Sequence, residues 1–360
     1  MNWIKKKLIP ITLVVFSCLT GTLIIEVILQ LTKNNDEWSV TSEANILRNF
    51  QFQYRLNEDD NFEEKIQNYT RNQYGLRDDC AHNKDIKILT IGGSTTDQRY
   101  VQYKDTFQKI IQNILTSENP DFGCVTNAGM DGHSTWGHIF SFEKWFPLIP
   151  NLNPEYILLY IGFNDANFKR TNNPNLSYET TPNKGVKAFL IKFEIVNRLL
   201  PIYRYLNHSI QKDTISYTRH EKKKFKTDDY TITKLNKDTI VLSELNSKAF
   251  KSRLEVILRY IEDLETKLIC VTQPHRYVIN KNGTLYGLPN VIEDGFSGLD
   301  FDYSIREINK VILELCKENT LDLYNHNFSD EHFYDGVHTT AKGSIEIGKL
   351  MAKFIIDSDK

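Results

Sequence analysis

Apolar and polar positions follow two rhythms along most of this chain. Short apolar runs at 86–91, 124–127, 156–161, 268–272 and 321–324 read as strands. Helical spacing follows the first of them, through Phe107, Ile110, Ile111, Ile114 and Leu115. Similar patterns predict helices near 139–146, 250–264, 303–316 and 341–355. Strands alternating with helices imply a parallel sheet covered on both faces. The run at 156–161 is the most apolar, which predicts a central strand.

Two stretches depart from this rhythm. Lys5, Lys6 and Lys7 precede an uncharged apolar run over 8–25, which Glu26 interrupts. That length is near the roughly 20 residues a helix needs to cross a bilayer, and the basic flank predicts a cytoplasmic N-terminus with the rest exported. The run extends past any small-residue cleavage box, so an uncleaved single-pass anchor is expected over 1–33. Polar and aromatic residues over 34–84 read as a stalk and pre-domain segment. The globular domain is then expected over 85–358. The second departure, at about 167–245, holds an amphipathic segment (186–206) and the Lys222–Lys224 run, and reads as an insertion with a solvated charged face.

Composition narrows the function only by exclusion. The 44 basic and 46 acidic side chains give a net charge of −2, without the basic excess that nucleic-acid partners require. None of the five cysteines forms a C-x-x-C pair, and no metal-ligand spacing appears, so no metal or organic cofactor is implied. Cys124 and Cys270 lie in apolar runs and read as buried thiols, while a Cys80–Cys316 disulfide stays open. Oligomeric state is not legible.

Chemistry concentrates where the predicted strands end, the edge at which open α/β sheets bind ligands. The first strand leads into Gly92-Gly93-Ser94-Thr95, the second into the 127–132 loop, the third into Gly162-Phe163-Asn164-Asp165. Asp335-Gly336-Val337-His338 precedes the last helix. Ser94 is a candidate nucleophile, His338 its base, and Asp335 the group that orients the imidazole. Candidate oxyanion donors are the N–H of Ser94, the N–H of Gly132 (Gly129 being the alternative) and the Asn164 amide. His275, after Gln273-Pro274, is a candidate substrate contact. The other histidines, His133, His326 and His332, read as loop residues, and Trp136, Trp145 and Phe163 as core or rim. Asp97 reads as serving a helix N-terminus.

Together these four pieces, in this order, resemble the blocks of the SGNH/GDSL hydrolase family, over roughly residues 70–355. That resemblance implies a flavodoxin-like three-layer α/β/α sandwich with a five-stranded parallel sheet. It also implies a serine esterase with Ser94, Gly132, Asn164 and the Asp335–His338 pair in the family's roles. Gly93 stands where the family name places an Asp. Gly-Gly-Ser-Thr versions occur in anchored bacterial members, which also show an Asn-x-x-Gly-x-Arg stretch, matched here by Asn72 to Arg77. The expected activity is hydrolysis of an O-acyl, chiefly O-acetyl, ester on an extracytoplasmic glycan. A lipid ester or thioester, acyl transfer to a sugar hydroxyl, and a catalytically silent assembly role are the alternatives. A groove for longer acyl chains would draw on Leu190, Phe193, Ile195 and Leu199.

Overall fold

The computed structural model describes residues 16–17, 20–30, 37–55, 66–168, 193, 195–196, 225–232, 234–289, 291 and 295–358. The chain divides into two units, Met1–Ser39 with Thr180–Ile215, and Val40–Glu179 with Ser216–Lys360. In the first unit, residues 20–30 are helical and the Glu26 carboxylate, buried, accepts the backbone N–H of Ile195 at 3.0 Å. No helix among the described residues is long and apolar enough to cross a membrane. Much of the expected 1–33 anchor, and most of the 167–245 insertion, lies outside the described residues.

The second unit begins with an element absent from the sequence expectation. Strands β1 (Phe50–Arg55) and β2 (Ile66–Arg71) pair antiparallel inside the expected stalk, Phe50 opposite Arg71. Burial alternates along β2, and the residues turned inward are Gln67, Tyr69 and Arg71. A strand whose buried face is this polar carries no apolar alternation, which is why the pattern reads as a stalk.

Five strands then form the main sheet: β3 (Ile86–Gly92), β4 (Cys124–Asn127), β5 (Tyr156–Tyr160), β6 (Lys267–Val271), with β9 (Thr320–Leu321) last. All neighbours are parallel, in the order β4-β3-β5-β6-β9. This is the flavodoxin-like order, and β5 is central as its composition predicts. Between β6 and β9 lies a second hairpin, β7 (Val278–Lys281) and β8 (Thr284–Gly287). Its turn is Asn282-Gly283, both at positive φ (51° and 82°), the two-residue turn that matches strand twist. That Asn-Gly signal was present in the sequence.

Besides a single turn at Val40–Glu43, the second unit has helices α1 (Ser94–Asp97), α2 (Phe107–Glu118), α3 (Thr135–Phe140), α4 (Thr239–Asp263), α5 (Gly298–Cys316) and α6 (Ala341–Ser358) among the described residues. Thr106 caps α2 and Ser297 with Asp300 forms a capping box on α5. Phe107, Ile111 and Leu115 of α2 join Ile347, Met351 and Ile355 of α6 over Ile88, Val125, Leu158 and Ile269, one face of the sheet. Alternation turns Leu89, Ile91, Ile157 and Leu159 to the other face, which α4 and α5 cover through Leu254, Ile257, Ile305 and Ile308. Helix α4 starts at Thr239, so the expected insertion overlaps its first turns.

The cysteines correct the sequence expectation. Cys80 is disulfide-bonded to Cys124, and Cys270 to Cys316. The segment after Arg77 runs along edge strand β4, bridged through Arg77 and Asn127, which carries Cys80 to Cys124. Helix α5 ends beside β6, which carries Cys316 to Cys270 instead of to Cys80. Each bridge joins residues about 45 apart (44 and 46), a loop for which chain-entropy arguments give about 4 kcal/mol. Replacing Cys270 and Cys316 together by serine is expected to lower the unfolding free energy by about 2–4 kcal/mol. Urea unfolding of the variant against wild type, each without reductant, checks this.

Candidate active site

All four signature loops converge beyond the carboxyl ends of the sheet strands. Ser94 is the first residue of the one-turn helix α1, reached directly from β3. Its Oγ lies 2.7 Å from His338 Nε2, and His338 Nδ1 lies 2.7 Å from Asp335 Oδ2. In the tautomer this network fits, Nδ1–H donates to the carboxylate and Nε2 accepts the serine O–H. The other Asp335 oxygen accepts the backbone N–H groups of Val337 and His338, at 2.8 and 2.7 Å. That Asx turn folds the Asp-Gly-Val-His stretch back on itself and so fixes the carboxylate against the ring.

Electrostatics at His338 favour the protonated form. Burial pulls the imidazole pKa down, but the charge and hydrogen bond of Asp335, with further help from Asp131 and Asp97, carry it above its ordinary 6.5. Helix α1 has a first-turn N–H at Ser94 that no intrahelical carbonyl can accept.

Asn164 stands at the end of β5, and its amide donates to the His133 carbonyl at 2.8 Å. The next residue anchors that loop: buried Asp165 accepts the N–H and hydroxyl of Thr135 and the guanidinium of Arg253. Gly93 packs beneath Asn164. A Cβ built there would come 2.7 Å from Asn164 Nδ2 and 3.1 Å from the His133 carbonyl oxygen. The Asp that the family name places before the serine would therefore displace the amide, which accounts for glycine here.

Of the two candidate glycines in the second loop, Gly129 donates its N–H to Asn127 Oδ1 at 2.8 Å and packs against the backbone of α1. It has no N–H to turn toward Ser94. Gly132, at φ +80°, lies in the turn that leads to His133.

His275 does not reach this site. Its side chain is 1% exposed and enclosed by Tyr277, Phe301 and Tyr324, with Nε2 3.3 Å from Asp302. Its place just after β6 suggested the edge of the cleft, but the ring turns inward to a buried carboxylate. His133 is buried, with Nε2 2.7 Å from the Ala44 carbonyl oxygen. Trp145 is fully buried and donates to the Tyr74 carbonyl.

Asp97 also differs from expectation. It is the last residue of α1, fully buried, and its Oδ1 accepts from Tyr69 and Arg71 while Oδ2 pairs with Arg99 at 3.2 Å. Burial alone would raise its pKa, yet Arg71 first, then Arg99, Tyr69 and Arg77, hold it below the usual carboxylate range. Arg71 also reaches the Gly129 carbonyl. Arg77, at the end of the Asn-x-x-Gly-x-Arg stretch, is buried and donates to the carbonyls of Asp97, Gln98 and Val101. Asn72 shapes that stretch by accepting the N–H groups of Tyr74 and Leu76. Gln98, at φ +49°, donates to Thr339 and Ser344, joining the end of α1 to the segment after His338. The sequence singled out the 72–77 stretch without its role, and gave no signal for Arg71 or Gln98.

Removing one partner of a buried ion pair leaves an uncompensated charge, at a cost of about 3–5 kcal/mol. Asp97→Asn is therefore expected to lose that much stability, read as a lowered denaturation midpoint.

No protein-family model matches this chain, and neither does any curated protein. Similar solved structures include the acetyl xylan esterase AlAXEase, with 13% identity over 74% of this chain and 98% of that one, at a TM-score of 0.38. Another is Axe2, an acetylxylan esterase from Geobacillus stearothermophilus, with 13% identity over 75% and 94% and a TM-score of 0.42. A GDSL-like lipase from Bacteroides thetaiotaomicron VPI-5482 is 12% identical over 76% and 88%, at a TM-score of 0.37.

Proposed function

We propose that this protein is a serine esterase of the SGNH/GDSL type, with Ser94 as nucleophile, His338 as base and Asp335 as its orienter. The observation that carries the reading is the unbroken row from Ser94 Oγ through His338 to Asp335, at 2.7 Å per step. His338 Nε2 takes the hydroxyl proton as Ser94 Oγ bonds to the ester carbonyl carbon. The carbonyl oxygen becomes an oxyanion, facing the N–H of Ser94, the N–H of Gly132 and the Asn164 amide. Collapse breaks the bond to the leaving alcohol, which receives the proton from His338. Water, deprotonated by the same nitrogen, then bonds to the acyl carbon, and collapse breaks the bond to Ser94 Oγ, which regains its proton from His338 as the acid is released. The Asn164 amide trades its bond to His133 for one to the oxyanion, and such a donor is worth about 10²–10³ in rate.

The substrate we infer is an O-acetylated glycan outside the cytoplasm, reached from an N-terminal membrane anchor. Two features support that placement. The helical residues 20–30 expose Leu23, Ile24, Ile25, Val27 and Ile28 while burying Glu26, the reverse of a water-facing helix. Two disulfides suit an oxidising compartment. Of the residues expected to line a groove for a longer acyl chain, Leu190 and Leu199 lie outside the described residues.

The deciding assay uses the full chain in detergent with p-nitrophenyl acetate and longer homologues, wild type beside Ser94→Ala, followed by acetylated glycans. Turnover in wild type and background rates in the variant are expected, with acetyl the best acyl group. Equal rates in both would remove Ser94 from the reaction.

The base must be neutral to act, and its pKa is raised, so kcat/KM is expected to climb with pH along a limb centred above 6.5. Asp131→Asn removes one of the charges that raise it, and should move the limb to lower pH.

A further inference from the structure

A hydrogen bond to Asp335 at one nitrogen leaves an imidazole able to swing about that bond, carrying Nε2 away from Ser94. A second restraint lies flat against the ring. Tyr334, the residue before Asp335, stacks on His338 with ring centroids 5.5 Å apart and planes within 8°. Tyr334 is 4% exposed, and its N–H donates to the His338 carbonyl at 3.0 Å, so ring and backbone are gripped together. Tyr334 also packs in a T-shaped contact with Tyr100, at 6.1 Å and 80°. Tyr100 in turn meets Tyr54 of β1, at 5.1 Å and 75°, and Tyr54 lies against Tyr69 of β2. These four tyrosines form one buried cluster. Tyr69 closes the circuit, because its hydroxyl donates to Asp97 at the end of the Ser94 helix.

We propose that Tyr334 is a positioning residue for His338, and that the β1–β2 hairpin backs it through Tyr100 and Tyr54. The hairpin thus holds both halves of the triad, the base through stacked rings and the nucleophile through charge. This rests on the triad reading above. Displacing a reacting group by about 1 Å can cost on the order of 10²-fold in rate, which sets the scale expected for loss of the stack.

The test compares Tyr334→Phe, which keeps the flat face, with Tyr334→Leu, which removes it, in the full chain. The Phe variant is expected to hold kcat within about twofold. The Leu variant is expected to lose about 10- to 100-fold in kcat with KM little changed. Its downfield proton resonance from the His338–Asp335 hydrogen bond should broaden or vanish, while Phe retains it. If Tyr334→Leu does not fold, Tyr100→Leu, which leaves Tyr334 but removes its backing, is read instead and should show a smaller loss of both signals. Wild-type kcat and an intact resonance in the Leu variant would overturn the proposal. So would a Phe variant as impaired as Leu, which would assign the effect to the hydroxyl. The resonance is read without substrate, so an inactive wild type would count against the esterase reading and leave the positioning test in force.

Discussion

The buried pair between Arg71 and Asp97 is the interaction on which the arrangement of the site depends. Asp97 closes the single turn that Ser94 opens, so a charge fixed at one end of that turn fixes the hydroxyl at the other. A turn of four residues has no helical stability of its own, since nucleation costs more than its few backbone bonds return. It is held from outside: by Arg71 and Arg99 on the carboxylate, by Arg77 on the carbonyls that follow, and by Gln98 reaching to Thr339 and Ser344. Such a network is favourable only where its charges find partners; Tyr69, Gly129 and the backbone carbonyls supply most of them, while Arg77 Nε and Arg99 Nε are buried without a hydrogen-bond partner.

Much of this was legible beforehand, for a physical reason. Parallel strands buried on both faces must be apolar throughout, so β3, β4, β5 and β6 announced themselves within a residue or so. The candidate site residues sat beyond their ends, where backbone geometry fixes position whatever surrounds it. Ser94, Asp335 and His338 lie in one hydrogen-bonded row, with Asn164 against Gly93 beside it.

The residues that support them were far less legible. Arg71, Tyr69 and Gln67 face inward from a strand with no apolar alternation, and the value of Arg71 and Tyr69 appears only once Asp97 is placed opposite. His275 occupies the sequence position of a cleft residue, yet a buried carboxylate on α5 claims its ring. Cysteine pairing followed the packing of Cys80 on β4 and of α5 on β6, neither of which spacing can report. In each case the deciding partner lies far away in the chain.

The position of the β1–β2 hairpin redraws where the working unit begins. By its strand pattern the α/β body would start at Ile86, and a chain cut there would retain Ser94, Asp335 and His338. It would also strand Asp97 in the interior with Arg71 and Tyr69 gone, and leave the rings around Tyr100 open to water. The smallest unit able to hold its own geometry therefore opens near Val40, the boundary at which the compact unit begins. The segment that looks like a stalk is thereby part of the body that carries the candidate site, and its residues count toward the interior of that body and not toward a linker.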